Sequence, residues 1–260
     1  MLKKRIDSKL KTAFFTSTGR TGTDFFTVLF NDFIKNSWSL HEPKPAFRRR
    51  AMRLISSPPT LYDVQYFRLP RIWRHSKQKC LCYVETNYHL SSSIPVVRRA
   101  FPDALVFHIV RDGREVVASW LNRFRYITND HITPYNVPGD PAQALWPQWN
   151  PVQKLAWYWK TVNETAERKS PDMILKFEEI FRGEKKGCFA ILDKFEGIEY
   201  DRKAVEAQLN VKVNLNKLDF FPKYPEWPTM WKDQFWEIAG EGMKKYGYGE
   251  RESSSLESTG

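Results

Sequence analysis

The chain has 260 residues and a formal net charge of +11, from 41 Lys and Arg against 30 Asp and Glu. Hydrophobic residues make up 42% and aromatic residues 15%, enough for a sizeable core, which excludes a disordered chain and suits one α/β domain. The charge favours a polyanionic partner: nucleic acid, an anionic membrane surface, or a small ligand carrying several phosphates.

Three cysteines, Cys80, Cys82 and Cys188, give no disulfide framework. Cys80 and Cys82 alternate along an apolar run and read as small core residues of a strand rather than a metal site. The N-terminal MLKKRIDSKLKTAFF lacks the apolar region of a secretory signal, and no run approaches the ~18 apolar residues of a bilayer span. The expectation is a cytoplasmic protein with no membrane span.

In chain order, Thr12–Ser17 (TAFFTS) predicts a short strand ending in a glycine turn, Thr18–Gly22. Phe25, Phe26, Leu29, Phe33 and Ile34 recur at helical spacing, so the turn opens a helix. Residues 43–75 are rich in Pro and Arg and irregular. Cys80–Glu85 predicts a buried strand and Ile94–Ala100 a short helix. Ala104–Val110 (ALVFHIV) is the most strand-like segment and runs into Arg111-Asp112-Gly113, with a helix expected over Glu115–Phe124.

Tyr126–Trp149 lacks periodicity and reads as a long loop, of the kind that is functional or disordered. Val152, Leu155, Ala156, Trp159 and Val162 mark an amphipathic helix. Asp172–Phe177 is a fourth predicted strand, Gly187–Phe195 and Lys203–Leu209 are short helices, and Phe235–Tyr246 is a final helix stopped by Gly247. Residues 1–250 are expected to form one domain, with 43–75 and 125–150 as irregular insertions and 251–260 as a flexible tail. Strands alternating with helices predict a central parallel sheet flanked by helices.

Two segments carry chemistry. Thr18-Gly19-Arg20-Thr21-Gly22-Thr23 sits between the first strand and first helix. Its glycines let backbone N–H groups turn inward, the helix N-terminus adds partial positive charge, and the Thr hydroxyls add donors. Arg20 brings a planar, permanent cation. This is an anion cradle, yet not the nucleoside-triphosphate loop G-x-x-x-x-G-K-[ST], because Thr23 and Asp24 follow Gly22. The second segment is Val110-Arg111-Asp112-Gly113-Arg114-Glu115-Val116-Val117-Ala118-Ser119. Arg111 lies at the carboxyl end of a strand, where open α/β sheets bind ligands, and Ser119 follows about two helical turns later.

Taken together, Arg20-Thr21-Gly22-Thr23 and Arg111 with Ser119 resemble the two motifs of the sulfotransferases that use 3′-phosphoadenosine-5′-phosphosulfate (PAPS). Leu175–Ile180 (LKFEEI) and the region from Trp236 to Tyr248 resemble later parts of that family, and the Arg-containing loop is closer to its bacterial and carbohydrate-type members. The resemblance implies a P-loop NTPase-like fold, PAPS as donor and 3′,5′-ADP as product. It implies that Thr18 to Thr23 grip the 5′-phosphosulfate and that Arg111 and Ser119 hold the 3′-phosphate.

Arg20 would neutralise charge on the leaving phosphate oxygen, and no metal is required. The family places its general base after the second strand, where this chain has Glu85-Thr86-Asn87-Tyr88-His89. Glu85 is the first choice for the base and His89 the second. The family has a second hydroxyl where this chain has Asp24, so Asp24 is expected to turn away from the phosphates. Lys217 and Lys223 are candidates to complete the 3′-phosphate site.

The acceptor implied is a small molecule or carbohydrate bearing a hydroxyl or amine, met by the 43–75 and 125–150 loops. Trp146 and Trp149 are expected to wall its pocket, whereas Trp157 and Trp159 read as core. His108 reads as a hydrogen-bonded core residue and Arg48-Arg49-Arg50 as a solvated basic face. A P-loop kinase would need the missing Gly-Lys-[ST] and an acidic Mg²⁺ ligand at a strand end. A nucleic-acid-binding protein would need a recognisable module among the basic residues from Arg48 to Arg74, and none is present, so no specific nucleic-acid partner is expected.

Overall fold

The sheet is built outward from β1, Lys11–Ser17. The computed structural model describes residues 10–43, 80–123, 139–211 and 220–249, together with Arg68, Pro70 and Ile72. Arg48–Arg50, Lys217, residues 124–138 and the 251–260 tail lie outside the described residues.

Strand β1 is apolar on both faces because both are covered. Ala13 and Phe15 enter one cluster with Phe26, Phe30, Phe107 and Phe195. Phe14 enters the opposite cluster with Ile72, Tyr83, Ile94 and Val106. Helix α1 (Thr23–Val28) follows the glycine turn and continues as a wider, π-helical turn over Leu29–Phe33. Strand β2 is Ser37–His41, and β3 is Cys82–Thr86. Helix α2 (Ile94–Ala100), strand β4 (Leu105–Val110) and helix α3 (Gly113–Leu121) follow.

Helix α4 spans Pro151–Arg168 behind an Asn150–Gln153 capping box, with Pro151 in its first turn. Strand β5 (Met173–Lys176) runs directly into α5 (Phe177–Phe181), and α6 (Lys186–Leu192), α7 (Arg202–Gln208) and α8 (Thr229–Lys245) complete the chain order.

Among the described residues all four strand pairings are parallel, in the order β2-β3-β1-β4-β5. The α/β class and the parallel sheet agree with the sequence. Sequence neighbours β3 and β4 lie on opposite sides of β1, so the connections part above its carboxyl end. Such a switch point opens a crevice there, and the glycine turn leaves β1 directly into it.

Strand β2 was not expected. Its sequence, SWSLH, is short and half polar, and it pairs along β3. Its outer backbone is met by Asn31, which donates to the Ser39 carbonyl (3.0 Å) and accepts from the Ser39 N–H (2.7 Å). A side chain thus covers an edge that would otherwise template further pairing.

Helix α3 starts two residues earlier than expected because Asp112 caps it, accepting from the Arg114 N–H at 2.9 Å. The described part of the expected long loop is also structured. It holds one helical turn, Ala142–Leu145, and a 3-10 turn, Trp146–Gln148.

Trp146 is only 2% exposed and packs against Trp149 and edge-on against Trp157. Trp146 is therefore a core residue, which corrects its assignment to a pocket wall; Trp149 is half-buried beside it. Trp159 is fully buried, as expected of core. His108 is also a core residue, its ring between Thr16 Oγ1 and Asn163 Oδ1, each at 2.9 Å. Burial pushes its pKa down to about 4, although the Asn163 bond acts the other way.

Candidate functional site: a phosphate loop joined to a strand-end arginine

The turn after β1 has a left-handed backbone at three positions: Gly19 (φ 74°), Arg20 (φ 58°) and Gly22 (φ 71°). Two of these are glycine, for which the conformation costs little, whereas Arg20 stores strain. Glycine is also required by space. A Cβ on Gly19 would lie 2.6 Å from the Trp120 ring, and one on Gly22 would lie 2.9 Å from Phe181.

The loop is braced from behind. Ser17 Oγ accepts from the Gly19 N–H (2.9 Å), and the Ser17 carbonyl accepts from Ser91 Oγ (2.9 Å). The Thr18 carbonyl accepts from both Tyr158 OH (3.1 Å) and Trp120 Nε1 (3.3 Å). Thr21 is fully buried, and among the described residues its hydroxyl has no hydrogen-bond partner. Buried hydroxyls are ordinarily satisfied, so a polar ligand in the loop fits this atom.

The two expected half-sites meet. Arg20 Nε donates to Ser119 Oγ at 2.8 Å, and Arg111 Nη1 donates to the Arg20 carbonyl at 2.8 Å. These contacts span 99 and 91 residues of chain and place two guanidiniums and a hydroxyl beside the left-handed turn. Arg111 is held from its other sides by three groups. Its guanidinium lies 4.3 Å from the Phe177 ring centroid and binds Glu115 one turn along α3. Its carbonyl accepts from Trp159 Nε1 (2.9 Å).

Glu115 is shared with Arg182, which donates to both its oxygens at 3.0 and 2.9 Å. Burial pushes the Glu115 carboxyl up, but Arg111 and Arg182 outweigh it and hold it below the usual range. Arg182 was not anticipated. It stands six residues beyond β5, at the end of α5, and no local pattern marks it.

Gly113 is fixed by packing rather than by backbone angle. A Cβ there would lie 3.0 Å from Trp159 and Met243 and 3.1 Å from Phe235, side chains of α4 and α8. These two helices press against the Arg111 turn. On the same side, Tyr248 OH donates to Glu178 Oε2 (2.7 Å), and burial pushes both of these groups up.

Of the two candidate bases, Glu85 is fully buried and taken up by neighbours. Arg68 grips it with Nε to Oε2 (2.6 Å) and Nη2 to Oε1 (3.0 Å). Tyr83 OH and Asn87 Nδ2 add one donor to each oxygen, both at 3.1 Å. A carboxylate so occupied offers no open lone pair to a proton. This corrects the order of the two candidates, because Glu85 anchors Arg68 to the sheet instead.

His89 is 7% exposed and packs against Tyr88, the rings tilted by 37° with centroids 3.8 Å apart. Tyr88 in turn lies against Trp120 and the face of Gly19, which puts this pair beside the loop. Asp24 pairs with His41, Oδ1 lying 2.7 Å from Nε2. Lys223 is exposed on the turn before Tyr224–Glu226. That segment is pinned near the site by Asn122, whose Oδ1 accepts from the Phe220 and Phe221 N–H groups.

Among the described residues, no group of three or more His, Cys, Asp or Glu side chains is placed to share a metal ion, and no helix is long and apolar enough to cross a membrane. No protein-family model matches the sequence, and no curated protein matches it. Among solved structures, sulfotransferase STF1 from Mycobacterium tuberculosis is 13% identical with a TM-score of 0.45, over 90% of this chain and 78% of that one. A sulfotransferase from Alicyclobacillus acidocaldarius is 12% identical with a TM-score of 0.43, over 92% of this chain and 94% of that one. The chain is thus similar, along most of its length, to two solved sulfotransferases.

Proposed function

We propose that the protein is a PAPS-dependent sulfotransferase that delivers the sulfuryl group to a hydroxyl or amine of a small-molecule or carbohydrate acceptor. The observation that carries this reading is the junction of Arg20, Ser119 and Arg111 over the carboxyl end of β1. A glycine-turn cradle alone fits any anion. A cradle fused to a second cationic site from another strand end fits a ligand with two separated phosphate groups, as PAPS and 3′,5′-ADP have.

Bound there, PAPS would supply the sulfuryl group and a phosphate leaving group. Gly19 to Thr23 would present backbone N–H groups and the Thr21 and Thr23 hydroxyls to the 5′-phosphosulfate, with Arg20 countering charge that builds on the leaving oxygen. Arg111 and Ser119 would take the 3′-phosphate, Arg111 giving up part of its bond to Glu115 while Arg182 continues to neutralise that carboxylate. Positioning and fixed charge supply the rate, as in phosphoryl transfer. His89 is assigned as the base that takes the acceptor proton, because Glu85 is committed to Arg68, Tyr83 and Asn87.

Calorimetric titration with 3′,5′-ADP, beside ATP·Mg²⁺, tests the donor reading. Tight binding of 3′,5′-ADP and much weaker binding of ATP supports it; no binding of 3′,5′-ADP ends it. Turnover of PAPS against a panel of phenol, amine and sugar acceptors then tests the base. His89→Ala is expected to lower kcat by about 10² or more while leaving 3′,5′-ADP bound.

A further inference from the structure

The phosphate loop carries a carboxylate at its rim. Asp24 is the second residue of α1, in the first helical turn, where N–H groups and the helix dipole face an incoming anion. Rotated toward the loop, it would compete for those N–H groups and repel a phosphate or sulfate.

It is held elsewhere by a bridge from the edge strand. Asp24 Oδ1 lies 2.7 Å from His41 Nε2. The opposite ring nitrogen, Nδ1, lies 2.8 Å from Thr86 Oγ1 at the end of β3. Thr86 is fully buried and its hydroxyl bonds Thr27 Oγ1 (2.9 Å), three residues after Asp24 on α1. The ring is therefore contacted at both nitrogens, by an ion-pair approach at Nε2 and a hydrogen bond at Nδ1, and β2, β3 and α1 all contribute to its position. A second carboxylate, Glu42, approaches Nε2 at 3.4 Å, so His41 stands between two acids.

We propose that His41 is a positioning residue of the donor site: it holds the Asp24 carboxylate out of the phosphate loop and thereby sets the loop's affinity for anions. This rests on the donor reading above. His41 touches no donor atom and acts through Asp24.

The test is a set of variants titrated with 3′,5′-ADP by calorimetry and with inorganic sulfate by thermal shift. Wild type against 3′,5′-ADP decides the donor reading alone; sulfate binding tests the loop however that falls. His41→Ala is expected to weaken both ligands by about tenfold, the effect of one unscreened charge at the loop. His41→Asn/Asp24→Asn and His41→Ala/Asp24→Asn are expected to restore binding, because with the carboxylate gone nothing needs holding. His41→Gln, which keeps a donor toward Asp24, is expected to stay within threefold of wild type. Should His41→Ala fail to fold, Asp24→Asn alone still decides, with two- to threefold tighter binding expected.

A folded His41→Ala protein that binds like wild type overturns the proposal. So does a double variant as weak as His41→Ala, which would mean that His41 supports the loop through β2 and not through Asp24. Unchanged or weaker binding by Asp24→Asn, or no sulfate binding by wild type, overturns it as well.

Discussion

Two arginine–glutamate pairs lie on opposite sides of β1, and they differ in everything but composition. Arg68 and Glu85 are 1% and 0% exposed, bidentate, and completed by Tyr83 and Asn87. Arg111 and Glu115 are 20% and 34% exposed, and Glu115 is divided between Arg111 and Arg182. The first pair has every oxygen assigned, and its burial makes any exchange of partners costly. The second has a surplus cation at the mouth of the crevice, so an anion can enter by displacing one hydrogen bond of several. A closed pair holds the fold together; an open one can trade its partner for a ligand.

The contrast breaks if the closed pair can be opened cheaply. Glu85→Ala leaves Arg68 charged and buried, and is expected to cost about 3–5 kcal/mol in chemical denaturation. A loss below about 1 kcal/mol would mean that the pair is solvated and that Glu85 is again available as a base. Acid titration is the next largest effect and probes another closed polar group. His108 has a folded pKa of about 4 against an ordinary value near 6.5, so it binds a proton more readily unfolded than folded. Its contribution is full above about pH 6.5 and is lost as pH falls toward 4, by up to about 3 kcal/mol. His108→Gln is expected to flatten that part of the stability–pH curve.

The open pair predicts the reverse balance. Arg111→Ala is expected to weaken 3′,5′-ADP binding about a hundredfold, with less than about 1 kcal/mol lost in stability. Equal losses in both would place Arg111 with the structural pair. The smallest effect is Glu115→Gln. It removes the charge that competes with a phosphate for Arg111 and is expected to tighten 3′,5′-ADP binding about threefold. Weaker binding would instead make Glu115 the group that aims Arg111.

The same contrast marks what the sequence reveals. The open site is written in local patterns. Gly19 to Thr23 joins a strand to a helix, and Arg111 and Ser119 are spaced along one strand-to-helix unit, so chain order alone locates them. The closed contacts are not local. Arg68 comes from an irregular Pro/Arg stretch with no periodicity to place it, and its partner Glu85 sits on the strand end where a base was expected. His41 lies on β2, an edge strand with serine at two of its five positions, so no hydrophobic alternation announces it. Trp146 was misplaced for a related reason: composition around it reads as loop, while Trp149 and Trp157 draw it into the core. Arg182 reaches Glu115 only because β5 lies beside β4 in the sheet. Long-range partners of this kind are fixed by topology, which periodicity does not encode.

The Thr18 carbonyl, received by Tyr158 and Trp120, has a consequence for biogenesis. The phosphate loop emerges from the ribosome 140 residues before Tyr158, and 102 before Trp120. Its back wall is thus made well after the loop itself. A nascent chain that ends ahead of Pro151 has β1 and the loop sequence but lacks α4 and α8, the helices that press on the Arg111 turn. The loop therefore waits for its supports in stages, Trp120 first, then Tyr158 on α4, then α8. Until then the apolar faces of the strands lack part of their cover, the condition under which partly folded chains are prone to aggregate.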